Sequence, residues 1–291
     1  MLRRIFMVCA FSCSLISLAH AQSVEDGDDG DDLVEGNISA HSITPVRRPS
    51  GPNRFAIGGD TSSFTYREPG LMTDSGFMYG VKGQYDRLVE SVPLKFSAEG
   101  GLVAGVLGYT GQKWDGTPLT DSTTDLIFNL RLLGAWEFRS HAGSFSPYVG
   151  IGYRYLNDNG QDSSSYEREI SYEYLPIGAR FQLAASGNSS FGVAVEYDYF
   201  LQGTVVTHLS QLGSNYPDLN NTQSSGEGYR LTANWTQRFR FADLRIEPYW
   251  QHWEIGNSDS QVIQATAKSV QSGMEPANSS DQIGLTVSIL L

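Results

Sequence analysis

LIFNLRLLGAWEF, residues 126–138, alternates as a strand does. Successive side chains of a strand point to opposite faces. Leu126, Phe128, Leu130, Leu132, Gly134, Trp136 and Phe138 therefore share one side. Thirteen residues reach about 40 Å at ~3.3 Å each. Tilted by about 40°, they rise roughly 30 Å, enough to cross the ~25 Å apolar band of an outer membrane. No charge interrupts this row, and one arginine at mid-bilayer depth would cost about 2–4 kcal/mol. The other side carries Asn129, Arg131 and Glu137. Alternation alone does not say which side faces inward. A charge-free row of membrane length, backed by polar residues, points to an apolar outside and a polar inside.

Working outward, the same period of two recurs from Arg54 to the last residue. Ten runs are readable, at about 54–66, 76–87, 93–109, 126–139, 147–157, 169–184, 191–207, 227–240, 244–255 and 281–291. Run two offers Phe77, Tyr79, Val81 and Tyr85, and run seven Phe191, Val193, Val195, Tyr197, Tyr199 and Leu201. Aromatics gather toward the strand ends, as in interfacial girdles. Links alternate between short ones, such as SHAGSFS and ASGNSS, and long polar ones, such as LSQLGSNYPDLNNTQSSG. That asymmetry predicts an all-β, closed antiparallel transmembrane barrel of about ten strands, with tight turns at one end and large loops at the other. Runs one and nine have ambiguous phase; discounting both leaves eight strands. In YWQHWE both phases hold an aromatic, and a bulge would shift the phase. The final run, DQIGLTVSILL, keeps its alternation to Leu291 because in a barrel the last strand pairs with the first and no edge is left over.

The first 21 residues read as a secretory signal peptide: Arg3 and Arg4, an apolar core, then Ala19-His20-Ala21 as a small-x-small cleavage site. Rival readings are a lipobox ending at Cys13, which has Ala10 where Leu is wanted, and twin-arginine export, for which the basic region is very short. Cys9 and Cys13 both fall inside the signal, so the exported chain holds no disulfide, no cysteine nucleophile and no cysteine-ligated metal. Residues 22–53 are rich in Asp, Gly, Ser and Pro and read as a disordered acidic periplasmic tail. EDGDDGDD within it lacks the spacing and closing Glu of a calcium loop. The formal net charge of −12 makes nucleic acid an unsuitable partner.

Charges are sparse on the inward rows. Lys82, Glu99, Arg131, Glu137, Arg154, Arg180, Glu196, Asp198, Arg230, Arg238, Arg245 and Glu247 are expected inside, paired across neighbouring strands, because an unpaired buried charge costs several kcal/mol. The cysteine-free barrel pattern, the signal peptide and the closing IGLTVSILL resemble small Gram-negative outer-membrane β-barrel proteins of eight to ten strands. The resemblance covers about residues 54–291. It implies an outer-membrane location, outer-membrane lipid and lipopolysaccharide as surroundings, and the barrel-assembly machinery as a partner in biogenesis. That machinery usually recognises a terminal aromatic, and Leu291 takes its place here.

Ten strands is also the omptin protease count. Omptins set an Asp pair opposite an Asp-His pair near the outer rim. No Asp-x-Asp stands on the matching strands, and no Asp-x-His occurs anywhere. Asp115, Asp121 and Asp125 read as solvated loop residues, His41 falls in the tail and His141 in a short turn. His208 and His252 fall near the loop-side rim, and Glu254 could orient His252. Glu196 and Asp198 share a face and could share a proton or a cation, though ion pairing with lumen arginines is the simpler account. No nucleophile elbow, Walker loop or zinc motif is present. The expectation is a barrel without cofactor or resident metal, with a structural, surface-interaction or narrow porin-like role. The alternatives are an outer-membrane hydrolase working through His252, His208 and Glu254, and a soluble secreted β protein.

Overall fold

A computed structural model describes residues 52–291, apart from 90, 113–115, 141, 163–164, 187 and 266–269. The tail and signal, with His41, Asp115 and His141, lie outside the described residues. Ten long strands form the barrel: β1 (Asn53–Glu68), β2 (Met72–Leu88), β3 (Leu94–Gln112), β4 (Pro118–Trp136), β5 (Gly143–Gly160), β6 (Glu167–Ser186), β7 (Ser189–Thr207), β8 (Gly226–Arg238), β9 (Asp243–Ile255) and β10 (Asn278–Leu290). Each pairs antiparallel with its sequence neighbours, and β10 pairs with β1, so the sheet closes. Phe55 and Leu291 exchange backbone hydrogen bonds of 3.2 and 2.8 Å at the seam. β1 begins one residue earlier than the sequence suggests.

Side-chain exposure follows the pleat. On β4, Asp125, Ile127, Arg131, Leu133 and Ala135 are buried inside, while Leu130, Leu132 and Trp136 are exposed outside. Ile57, Val106 and Ile151 stand 65%, 66% and 59% exposed on three other strands. Soluble monomers rarely expose contiguous apolar patches beyond a few hundred Å². Here the patch runs round the barrel, and it ends on β10 with Ile283, Leu285, Val287, Ile289 and, just past the strand, Leu291, all exposed.

β9 has no bulge. Tyr249, Gln251, Trp253 and Ile255 point inward, and Trp250, His252 and Glu254 outward. Glycine on the facing strand decides where the inward rings fit. A Cβ at Gly284 would run into the Tyr249 ring, and one at Gly228 into the Trp253 ring. The ring lies flat against a wall that has no side chain, which a narrow lumen requires. A register shift between Glu173 and Tyr174 marks a bulge opposite them on β7 that re-aims its upper end.

Three links read as long are short. The β1–β2 connection is only 69–71, with Gly70 at φ 79° supplying the left-handed turn. β4 starts at Pro118 and β5 runs to Gly160, so much of two further polar stretches is strand. Polar sequence there is the inward lining of strands that outrun the apolar belt. The two long connections that remain carry structure. A 3-10 turn (Leu209–Leu212) and a short strand (Leu219–Gln223) lie between β7 and β8, and a ribbon of Gln261–Ala265 with Val270–Gly273 lies between β9 and β10.

Candidate functional site

The lumen has three layers. At the short-turn end is a polar cavity of about 520 Å³. Arg131 of β4 forms ion pairs with Glu99 of β3 and, across the barrel, with Glu196 of β7. Arg180 pairs with the second oxygen of Glu99, Arg230 lies 3.3 Å from Glu196, and the Tyr148 hydroxyl donates to Glu196 at 2.8 Å. Lys82 pairs with Asp60 at 3.2 Å and sits 3.4 Å above the centre of the Tyr249 ring. Asp60 also accepts from Tyr249 and Thr286, at 2.8 and 3.2 Å. Glu137 pairs with Arg139 at the rim.

Other expected lumen charges behave differently. Arg154 is buried but packs against the Phe64 ring, 5.8 Å from its centre, and its Nε has no hydrogen-bond partner. Asp198 is fully buried and neither carboxylate oxygen has a hydrogen-bond partner. Arg245 donates to the neutral Gln84 Oε1 at 2.9 Å. Arg238 is exposed at the mouth. Among the described residues Arg154, Asp198, Arg238, Arg245 and Glu247 form no ion pair within 4 Å. Strand phase puts charges inside, but only register decides which of them meet.

Above the cavity the lumen is filled by side chains. Trp253 of β9 meets Tyr174 of β6, ring centres 4.9 Å apart, and Tyr172 at 5.5 Å; Phe200 packs on Tyr172 at 5.6 Å. Phe64, Met78 and Ile127 complete this plug, all fully buried. The cavity's lining stops at Tyr249, Gln251 and Gln282, beneath the plug.

The third layer, at the loop end, lies beyond the charges expected from sequence. Arg168 forms ion pairs with Glu68, with Asp158 at 2.6 Å and with Glu275 at 3.4 Å. Tyr66 donates to Glu275 at 3.1 Å, and Thr123 to Asp125 at 2.5 Å. Asp74 and Asp125 are buried beside them, so Asp125 is no solvated loop residue. Burial pushes the Glu275 carboxyl up to about 7 against the pull of Arg168, and Glu68 adds to the rise. For Glu68, Asp74, Asp125, Asp158 and Arg168 the strand's inward phase simply continues through apparent loop sequence, whereas Glu275 lies in the connection before β10 and follows no such phase.

The candidate histidines are not brought together with a catalytic partner in the lumen. His252 faces outward, its Nδ1 2.9 Å from Asp281 Oδ1 and its ring stacked on Trp250, while Glu254 is exposed on the same outer face. His208 precedes the 3-10 turn, 3.2 Å from both Asp218 and Glu169. Burial pulls the His208 pKa down, but the bonds from Asp218 and Glu169 outweigh it, and the pKa is raised. Among the described residues no cluster of metal-ligating side chains occurs.

The two long loops bind each other. Thr222 donates its N–H to Asp259 Oδ1 at 2.6 Å, Asp259 returns an N–H to the Thr222 carbonyl at 2.9 Å, and Asn221 donates to the Asp259 carbonyl at 2.8 Å.

The outer membrane protease OmpT from Escherichia coli has the same architecture, at TM-score 0.57 and 12% identity, over 85% of this chain and 99% of OmpT. This chain is a closed ten-strand barrel of the outer-membrane type. The translocator domain of the autotransporter NalP from Neisseria meningitidis aligns over 81% of this chain and 88% of its own, at 9% identity and TM-score 0.40. No protein-family description and no curated protein matches the sequence. The likeness to OmpT is one of fold, and the barrel lacks the Asp-x-His pattern expected of an omptin.

Proposed function

We propose that the protein is a non-conducting, non-enzymatic outer-membrane barrel that presents its linked loops as an interaction surface on the cell exterior. The observation that carries this reading is the pairing of loop 208–225 with loop 256–277 above a filled lumen. Loops that only connect strands have no need of cross-loop ladders, whereas a binding surface gains from being pre-organised. The apolar belt supports insertion in the outer membrane, and the short-turn and long-loop ends then face periplasm and exterior. The plug argues against the porin-like variant of this role. A hydrolase acting through His208 or His252 is the rival reading. Against it, His252 and its Asp281 partner face outward from the barrel, beside Arg67 and Glu254, and not into the lumen.

An epitope inserted between Tyr216 and Pro217 tests the reading. Antibody binding to intact cells is the expected result. Binding only after permeabilisation would contradict it, and so would peptide or lipopolysaccharide turnover that is lost in His252→Ala.

A further inference from the structure

The cup below the plug has the opposite polarity to the rest of the chain. The whole sequence carries a formal charge of −12, yet nine cationic side chains line the cavity against six carboxylates. Asp60, which holds Lys82 from behind the lining, offsets one more of the cations and still leaves an excess. Ion pairs account for the deep members. Outside those pairs stand two cations, Arg245, hydrogen-bonded to a neutral amide, and Arg238, exposed at the mouth, against one carboxylate, Glu247. Gln251, only 2% exposed, lines the same cavity with an Nε2 that has no hydrogen-bond partner. Among the buried lining atoms without a hydrogen-bond partner, the donors Gln251 Nε2, Arg230 Nε and Arg245 Nε outnumber the single acceptor, Asn129 Oδ1. A concave wall with surplus guanidinium donors toward its mouth matches the planar oxygen geometry of carboxylates and phosphates.

We propose that the cup is a binding site for a compact multivalent oxyanion. Its volume of about 520 Å³ suits a small molecule, not a folded domain. The plug leaves one mouth, so the anion arrives and leaves by the short-turn end. The cup is a receptor and not a conduit. With the barrel in the outer membrane, that mouth opens to the periplasm.

Calorimetric titration of the full-length protein in detergent tests this, with inorganic tripolyphosphate and citrate as probes at low and high salt. The measurement in detergent is independent of the loop-display reading. Saturable one-to-one binding that weakens with salt is expected. Binding of both probes assigns a general oxyanion site, and binding of tripolyphosphate alone assigns a phosphate site. Arg238→Gln with Arg245→Gln should weaken binding at least about tenfold, the loss expected for one charged hydrogen bond. Arg67→Gln, at the other end of β1, should leave it unchanged. Arg238→Gln alone, at an exposed position that the fold does not need, should give a partial loss. No saturable heat with either probe, or affinity unchanged in the double variant, overturns the proposal.

Discussion

Trp253 and Tyr174 meet across the lumen from strands three places apart, ring centres 4.9 Å apart and planes at 75°. This edge-on contact is a favoured aromatic geometry. It lies at the centre of the packing that separates the cup from the loop end. Planar-bilayer recording should therefore be silent for the wild-type protein. Steady ionic steps would contradict a filled lumen. Trp253→Ala should cost about 3–5 kcal/mol in unfolding free energy, because a fully buried indole leaves a cavity that the rigid wall cannot close.

Arg131 serves Glu99 and Glu196 together. Arg131→Met strips one cation from both. Breaking a buried pair costs about 3–5 kcal/mol, and Arg180 and Arg230 remain to hold the two carboxylates, so the lower end, about 3 kcal/mol, is expected. Urea unfolding from detergent or lipid checks it, read from the mobility of unboiled samples. A loss under about 1 kcal/mol would remove the network from any structural role.

The loop pair should be tighter in acid. Glu275 has a folded pKa of about 7 against an ordinary 4.5, so the folded state binds the extra proton between those values. Stability from this group therefore falls as pH rises from 4.5 to 7. The raised His208 pKa acts in the same direction. Its stabilisation is complete below the ordinary 6.5 and is lost as pH climbs through the raised value. Amide exchange at Glu275 and Ala277, corrected for intrinsic rates, should be slower at about pH 5 than at about pH 8. Glu275→Gln should abolish the lower part of that dependence, and His208→Gln the upper part. A pH-independent profile would refute both assignments.

Much of this architecture was legible in the sequence because one physical rule, strand alternation against an apolar solvent, governs most of it. The row Leu126 to Trp136 gave both strand and facing. What the rule could not supply was phase where both phases look alike. Trp250 and Trp253 are equally apolar, and only Gly228 and Gly284 on the facing strands show which rings fit inside. Partner choice was also hidden. Arg154 and Arg131 share a chemistry, yet register gives one a phenyl ring and the other two carboxylates. The layer around Arg168 is hidden because polar residues at the strand ends look like loop although the pleat continues through them, and Glu275 joins it from a true connection. For the same want of phase on β9, the sequence puts His252 near the rim without showing that it faces outward.

Facing can be tested by charge. Leu132→Arg puts a guanidinium on the outer row of β4 and should cost about 2–4 kcal/mol if that row meets hydrocarbon. A cost near zero would mean that water bathes it.

The central claim is that lipid is the solvent for the outer side of these pleats. Size-exclusion chromatography of the folded exported chain, with and without detergent, tests it most directly. The account predicts a monodisperse detergent complex, with heat-dependent gel mobility, that aggregates when detergent is withdrawn. A folded monomer persisting in plain buffer would contradict it.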